Sequence, residues 1–200
     1  MYTLINGSPK PNCSNSMYFL KIISSYLNKY KLFEIKHDDY EEILNNIYKS
    51  DVIVIAFPLY VDSPPSIILE FLDYIVDKGI ELKDKYIYLV INCGFREGKH
   101  NITAVNIIKR WCKKVKAIYC SSILIGSGEI VGKEKYKFIS KKALKEINRF
   151  ASVVEYKMLD DDKITTMDLI NNQIYCFIAN LFWNRKAKIN GLTCTDLRVK

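Results

Sequence analysis

Short apolar runs alternate with amphipathic stretches along most of the chain. Residues 52–57 are apolar at every position, which is typical of a strand covered on both faces of a parallel sheet. The apolar runs predict strands at 2–6, 32–36, 52–57, 86–91 and 117–125. Helical spacing predicts helices that begin near Ser16, span 40–49, begin at Ser66, span 101–114 and begin near Lys133. This alternation predicts an α/β fold: a doubly wound five-stranded parallel sheet, order 2-1-3-4-5, with helices on both faces.

The residues after 158 form an appendage to this pattern. Asp160, Asp161 and Asp162 predict a solvent-exposed turn rather than a metal site, because hard-cation sites draw their ligands from several elements. A helix is predicted across 166–183, followed by a basic tail. We therefore divide the chain into one domain at 1–158 and a helical C-terminal extension with a basic tail at 159–200.

The predicted helix of the extension has more apolar side chains than one buried stripe needs. They are Ile170, Ile174, Phe177, Ile178, Leu181, Phe182 and Trp183. Either this helix packs onto its own domain, or it meets the same helix of a second copy. Large apolar patches rarely stay exposed on a monomer, so our hypothesis is a homodimer.

Composition and charge exclude several classes of function. Of 200 residues, 49% are hydrophobic and 26% charged, as in ordinary globular domains. No apolar stretch reaches the roughly 18 residues of a membrane span, and no leader pattern is visible, so we expect a cytoplasmic protein with no membrane partner. The six cysteines form no CxxC pair and only two histidines are present, which predicts free thiols and no bound metal. The net charge of +8 is spread over basic clusters that are not interleaved with aromatic residues, so no nucleic acid is expected as a partner.

Three loops of unusual composition follow the first, third and fourth predicted strands. In a doubly wound sheet these loops line the crevice in which ligands bind. The first loop combines hydroxyl and amide groups with a helix N-terminus, an arrangement that favours an anion. Its candidate ligands are Ser8, Lys10, Ser14, Asn15 and Ser16. The alternative, that Ser14 or Ser16 only caps the helix, accounts for one such residue and not for the cluster.

The second and third loops supply flat and apolar surfaces. Residues 58–61 offer the ring of Tyr60 between apolar neighbours, and residues 92–98 offer glycines for close approach and Phe95 for stacking. Each loop taken alone is also compatible with an ordinary rigid turn. A triphosphate-binding loop is disfavoured, since the Gly132–Lys133 pair is followed by Glu134 where a serine or threonine is needed.

Two of these segments resemble a known family. Gly7-Ser8-Pro9-Lys10 with Ser14-Asn15-Ser16, and Pro58-Leu59-Tyr60-Val61-Asp62-Ser63 with Phe71-Leu72-Asp73, are similar to motifs of the NAD(P)H-dependent FMN reductase family within the flavodoxin-like superfamily. The resemblance covers about residues 1–150. Residues 61–63 depart from it, because many members have a small, glycine-containing segment there.

The resemblance implies FMN as the cofactor and a flavodoxin-like fold. It places the FMN phosphate on Ser8, Ser14, Asn15 and Ser16, the isoalloxazine ring against Pro58, Leu59, Tyr60 and Val61, and Asn92, Cys93 and Gly94 beside the ring. An acidic Asp62 near the ring would disfavour its anionic reduced form. No catalytic acid or nucleophile is expected, because the flavin itself supplies the redox chemistry.

The function expected from the family is an FMN-dependent oxidoreductase that passes electrons from NAD(P)H to a small acceptor. Quinones, nitro compounds, metal complexes and free flavins remain open as acceptors, and so does the choice between NADH and NADPH. The alternative is a flavodoxin-type electron carrier without NAD(P)H activity, although carriers of that type are usually acidic and this chain has a net charge of +8. A third reading is a regulatory protein that binds no flavin.

Overall fold

A computed structural model describes residues 1–10, 14–36, 39–133, 136–166, 172–193 and 196. Their strands are β1 (Tyr2–Asn6), β2 (Tyr30–Glu34), β3 (Val52–Pro58), β4 (Tyr86–Asn92), β5 (Ile118–Ile125) and β6 (Lys163–Thr165). All six strands are parallel and form one sheet of order β2-β1-β3-β4-β5-β6. The predicted order 2-1-3-4-5 is therefore confirmed, and a short sixth strand extends the sheet beyond β5.

The helices follow the strands in the expected alternation. They are α1 (Asn15–Ser24), α2 (Tyr40–Lys49), α3 (Ser66–Asp77), α4 (Ile102–Lys114), α5 (Gly128–Val131), α6 (Lys141–Glu155) and α7 (Asn172–Ile189). Among the described residues, no helix is long and apolar enough to cross a bilayer.

Two apolar layers explain why β3 is apolar throughout. Ile53, Ile55 and Phe57 point to the face that packs against buried residues of α2, α3 and α4. On the opposite face α1 and α6 contact each other, and α1 also contacts β3 and β4. The Tyr88 ring of β4 meets the Phe150 ring of α6 there in an edge-to-face arrangement. Because both faces of the sheet are covered, alternation of apolar and polar residues is not needed.

The structure differs from the sequence prediction after β5. The predicted single helix from Lys133 is wrong at its start, because α5 precedes it and α6 begins at Lys141. The last helix, predicted across 166–183, is described over Asn172–Ile189 and so extends six residues further, whereas Thr166 forms a bridge with Glu97 and residues 167–171 lie outside the described residues. Ile170 of the predicted apolar face lies outside the described residues. The chain forms two compact units, Met1–Met167 and Asp168–Lys200. The first unit extends past residue 158, since β6 joins its sheet.

Asp162 is not the solvent-exposed turn residue that we expected. Its carboxylate accepts hydrogen bonds from Lys109 Nζ at 2.7 Å, from Ser122 Oγ at 2.8 Å and from the Tyr119 hydroxyl. Burial alone would raise the pKa of Asp162, but these three hydrogen bonds outweigh it and hold the pKa below its ordinary range. The chain is thereby anchored to α4 and β5 immediately before it enters β6.

Replacing Asp162 by asparagine is expected to lower the free energy of unfolding by about 1–2 kcal/mol at neutral pH, because Lys109 loses its charged partner. A depressed folded-state pKa stabilises the fold above the unfolded pKa, and this stabilisation is lost as the pH falls through the folded pKa. The urea midpoints of the wild type and Asp162→Asn should thus differ at neutral pH and converge in acid. Asp161→Asn, at the exposed neighbour, is the matched control and should leave the midpoint unchanged. A midpoint difference that persists in acid would contradict this assignment.

Candidate functional site

The loop after β1 is organised by the buried side chain of Asn6. Its Oδ1 accepts the backbone N–H of Ser8 at 3.2 Å, and its Nδ2 lies 3.3 Å from Ser14 Oγ. The Ser8 hydroxyl accepts the N–H of Lys10 at 3.3 Å, while the Lys10 side chain is exposed. Residues 11–13 lie outside the described residues. No role was predicted for Asn6 from the sequence, although an amide at the last position of a buried strand indicates a role in the loop that follows.

The N-terminus of α1 follows this loop. Ser14 caps the helix, because its Oγ accepts the N–H of Met17 at 3.1 Å. Ser16 is also buried, and its Oγ accepts a hydrogen bond from Asn92 Nδ2 at 3.0 Å. Among the predicted phosphate ligands, Ser8 and Asn15 are therefore more accessible than Ser14 and Ser16. The first turn of α1 has no acidic residue, so the helix itself adds no negative charge at its positive dipole end.

The loop after β3 is a tight two-residue turn. Tyr60 and Ser63 exchange backbone hydrogen bonds of 2.9 and 3.0 Å. Val61 and Asp62 at the tip both have positive φ, 48° and 58°, which is the backbone geometry that normally selects asparagine and glycine. A β-branched residue in this region is strained, and the Val61 side chain is 99% exposed. The departure of residues 61–63 from the family pattern therefore lies at a protruding, strained tip.

Two side chains next to this tip have opposite environments. Leu59 is buried, and its N–H donates to the backbone oxygen of Asn92 at 2.8 Å. The ring of Tyr60 is 48% exposed and thus offers an aromatic surface at the carboxyl edge of the sheet.

The loop after β4 turns its cysteine inward. Cys93 Sγ lies 3.8 Å from the Phe95 oxygen and 3.7 Å from the Glu97 oxygen, and it accepts from Asn101 Nδ2 at 3.6 Å. Burial raises the pKa of the Cys93 thiol, so the thiol stays protonated at neutral pH and is a poor nucleophile. Its neighbour Gly94 is exposed. The backbone of Cys93 is also held within the fold, because its N–H donates to the Ile125 oxygen at 3.0 Å and its oxygen accepts the N–H of Gly128 at 2.9 Å.

An aromatic pair lies on the outside of the same loop. The ring of Phe95 packs against the ring of His100, with centroids 4.3 Å apart. Phe95 is 54% exposed. The predicted stacking surface is thus accessible, but part of its face is already used by His100.

A fourth segment, residues 126–132 after β5, lies next to the loop after β4. The N–H of Ser127 donates to the Phe95 oxygen at 2.6 Å, and the N–H of Gly128 donates to the Cys93 oxygen at 2.9 Å. A Cβ added at Gly128 would lie 2.8 Å from Asn92 Oδ1. From the sequence, the glycines of this segment suggest only a phosphate loop, which is disfavoured. Because they lack side chains, Gly126 and Gly128 instead permit close contact with the end of β4 and the loop after it.

The four segments lie at the carboxyl edge of the sheet. After the groups that the sequence predicts for them, we call the N-terminus of α1 with Ser8 and Asn15 the anion end, and the turn at Leu59 and Tyr60 the ring end. Asn92 lies between them, because its side chain reaches Ser16 and its backbone oxygen holds Leu59. Within the described part of the chain, no group of three or more potential metal ligands is found.

Comparison with known proteins identifies the family of this chain. The sequence model of the family described as NADPH-dependent FMN reductase matches residues 3–113. A search of curated proteins found no match.

Solved structures share the fold at low sequence identity. The Trp repressor binding protein from Bacillus subtilis superimposes with a TM-score of 0.63 at 14% identity, over 74% of this chain and 99% of that one. An NADPH-quinone reductase from P. pentosaceus gives 0.58 at 15% identity, over 76% and 95%. A flavodoxin from Streptococcus pneumonia gives 0.57 at 15% identity, over 79% and 100%. At these identities the likeness concerns the flavodoxin-like fold alone.

Proposed function

Because the chain belongs to the NADPH-dependent FMN reductase family, we propose that it passes electrons from NAD(P)H through bound FMN to a small acceptor such as a quinone, a nitro compound, a metal complex or a free flavin. The observation that supports this proposal most directly is the junction at Asn92. There the anion end, the ring end and the loop after β4 meet at one carboxyl edge of the sheet.

The residues at the anion end fit a phosphate group. The backbone N–H groups at the start of α1 are aligned with the helix axis, and the first turn adds no negative charge. Ser8 and Asn15 add polar side chains, and the exposed Lys10 adds positive charge. In our proposal Ser14 and Ser16 act through the helix start that they stabilise, since their hydroxyl groups bond inside the protein.

The residues at the ring end fit an isoalloxazine. Pro58, Leu59 and Tyr60 would hold the ring at the turn after β3, where Tyr60 is 48% exposed. Gly94 and Cys93 would contact it from the loop after β4, and no side chain projects from Gly94. When bound, FMN would accept hydride from NAD(P)H and pass electrons to the acceptor. The protein therefore needs to bind, orient and partly shield it, and no general acid or base is assigned.

Charge favours an enzyme over an electron carrier. The net charge of +8 attracts anionic nucleotides such as NAD(P)H, whereas an acidic surface would serve docking on basic redox partners. We also place the protein in the cytoplasm, where NAD(P)H is present and the buried Cys93, Cys112 and Cys120 remain free thiols.

Anaerobic addition of NADPH or NADH to the FMN-loaded protein is expected to abolish the visible flavin absorbance, and addition of a quinone should restore it. Free FMN at the same concentration is the control and should react far more slowly. If the flavin is reduced by dithionite but stays oxidised under an excess of both nucleotides, the protein is an electron carrier and our proposal is wrong. If the purified protein contains no flavin and binds none when FMN is added, it is a regulatory protein rather than an oxidoreductase.

The second unit supports a proposed homodimer. In α7 the side chains of Ile174, Phe177, Ile178, Leu181, Phe182 and Trp183 are all exposed. Their spacing of three and four residues places most of them along one side of the helix, where a second copy would bury them. Light scattering should therefore give twice the mass of one chain. The double variant Phe177→Glu, Leu181→Glu should give the mass of a single chain, and a wild type that is already monomeric would contradict this proposal.

A further inference from the structure

Asn92 forms more connections between the loops of the site than the sequence suggests. It is the last residue of β4 and is 4% exposed. Its Nδ2 donates to Ser16 Oγ at 3.0 Å and to the Phe57 backbone oxygen at 3.3 Å. Because a backbone carbonyl can only accept, the contact with Phe57 fixes which end of the amide faces α1.

The backbone of Asn92 supports the ring-binding turn. Its carbonyl oxygen accepts the N–H of Leu59 at 2.8 Å, immediately before the turn that contains Tyr60. One residue thus holds both the start of α1 through its side chain and the start of the ring-binding turn through its main chain.

The opposite side of the amide is closely packed. A Cβ at Gly128 would lie 2.8 Å from Asn92 Oδ1 and 3.0 Å from Asn92 Cβ, so a residue with a side chain would displace the amide. The side chain of Asn92 is therefore enclosed by α1, the end of β3 and the segment after β5. Since Asn92 is only 4% exposed and its Nδ2 bonds within the protein, its amide group is buried among these elements.

We propose that Asn92 is a positioning residue that fixes the spacing between the phosphate-binding and ring-binding ends of the site without contacting the flavin through its side chain. This inference rests on the proposed function. It also changes the role expected from the family resemblance, which places Asn92 beside the ring. FMN must reach both ends at once, so its affinity depends on their spacing, whereas riboflavin occupies only the ring end.

The test compares FMN with riboflavin, because riboflavin lacks the phosphate. Asn92→Ala removes the hydrogen bonds to Ser16 Oγ and to the Phe57 oxygen, and is expected to weaken FMN binding about tenfold or more while changing riboflavin binding less than about twofold. Ser16→Ala removes only the bond between Ser16 and Asn92, and should change the ratio of the two affinities in the same direction. The double variant should bind FMN no more weakly than Asn92→Ala, since Asn92→Ala already removes the bond to Ser16. Flavin fluorescence quenching measures the affinities, and visible circular dichroism should show a changed ring environment even in Ser16→Ala.

Asn148→Ala is the matched control. Asn148 of α6 accepts a hydrogen bond at 3.0 Å from the hydroxyl of Tyr26, which lies in the turn after α1. Its removal is a comparable loss for the fold, but the ratio of FMN to riboflavin affinity should not change. This separates positioning of the site from general destabilisation.

The outcomes distinguish this inference from the proposed function. If the wild type binds neither flavin, the proposed function fails and the inference fails with it. If the wild type prefers FMN and Asn92→Ala lowers both affinities equally, or if Ser16→Ala adds to the effect of Asn92→Ala, the inference is wrong while the proposed function remains. Should Asn92→Ala not fold, Ser16→Ala decides alone: an unchanged ratio of affinities together with an unchanged dichroism spectrum overturns the inference.

Discussion

Gly126→Ala is expected to destabilise the fold by about 3 kcal/mol or more, the upper end of the cost of overpacking a core. A Cβ at Gly126 would lie 2.2 Å from the Arg96 backbone oxygen and 2.8 Å from the Gly98 backbone nitrogen. Both are backbone atoms, so no side-chain rotation can relieve the clash. The loop after β4 would have to move as a whole, away from the end of β5. Urea unfolding monitored by circular dichroism measures the loss.

Gly94→Ala is the matched control for this prediction. Gly94 lies in the loop after the neighbouring strand, and a Cβ there would meet nothing within 4 Å. The two substitutions have the same effect on the entropy of the unfolded chain, so their difference isolates the steric clash. Gly94→Ala should change the free energy of unfolding by less than about 0.5 kcal/mol. Equal free energies of unfolding for the two variants would contradict the close approach of Gly126 to the Arg96 backbone oxygen.

Asn15→Asp is expected to weaken FMN binding about a hundredfold, equivalent to roughly 2.7 kcal/mol. The new carboxylate would lie in the first turn of α1 and repel the phosphate at a separation where screening by water is incomplete. The same charge interacts favourably with the helix dipole, so the flavin-free protein should become more stable by about 0.3–1 kcal/mol. Affinity and stability should thus change in opposite directions. Fluorescence titration and urea unfolding of the same preparation measure both.

Two comparisons make this prediction specific. Riboflavin binding should be nearly unchanged in Asn15→Asp, because the repulsion acts on the phosphate. Asn46→Asp makes the same change of charge near the C-terminal end of α2, where Asn46 Nδ2 donates to the Glu42 oxygen. It should leave FMN affinity unchanged. If FMN binds Asn15→Asp as tightly as the wild type, the phosphate does not lie at the start of α1.

The prediction of the fold succeeded where the local pattern and the final environment agree. The continuous apolar run of β3 identified a strand buried on both faces, and the helix predicted across 40–49 is α2 at the same residues. The prediction failed around β6, whose three residues are too few for a recognisable period. Its position depends on pairing with β5 and on the anchoring of Asp162, and both are contacts between residues distant in the sequence.

Some features of the candidate site were likewise predictable from the sequence, and others were not. Loop composition predicted the segments at 7–15, 58–65 and 92–99, because clusters of glycine, serine, asparagine and proline at strand ends are visible locally. The inward direction of Cys93 and the bond from Asn92 to Ser16 are not visible locally, since a side chain's direction at a loop depends on the room left by neighbouring elements. The segment after β5 was missed as part of the site for the same reason.

The order of the elements, the parallel sheet and the family can be predicted from the sequence, because periodicity and short motifs are properties of neighbouring residues. Which polar groups remain available at the carboxyl edge depends on the tertiary structure. It turned the hydroxyl of Ser16 toward Asn92, left Tyr60 exposed and drew β6 into the sheet. A hydrogen bond between residues 16 and 92 exists only when the sheet has brought α1 and the end of β4 together, and no local pattern specifies that distance.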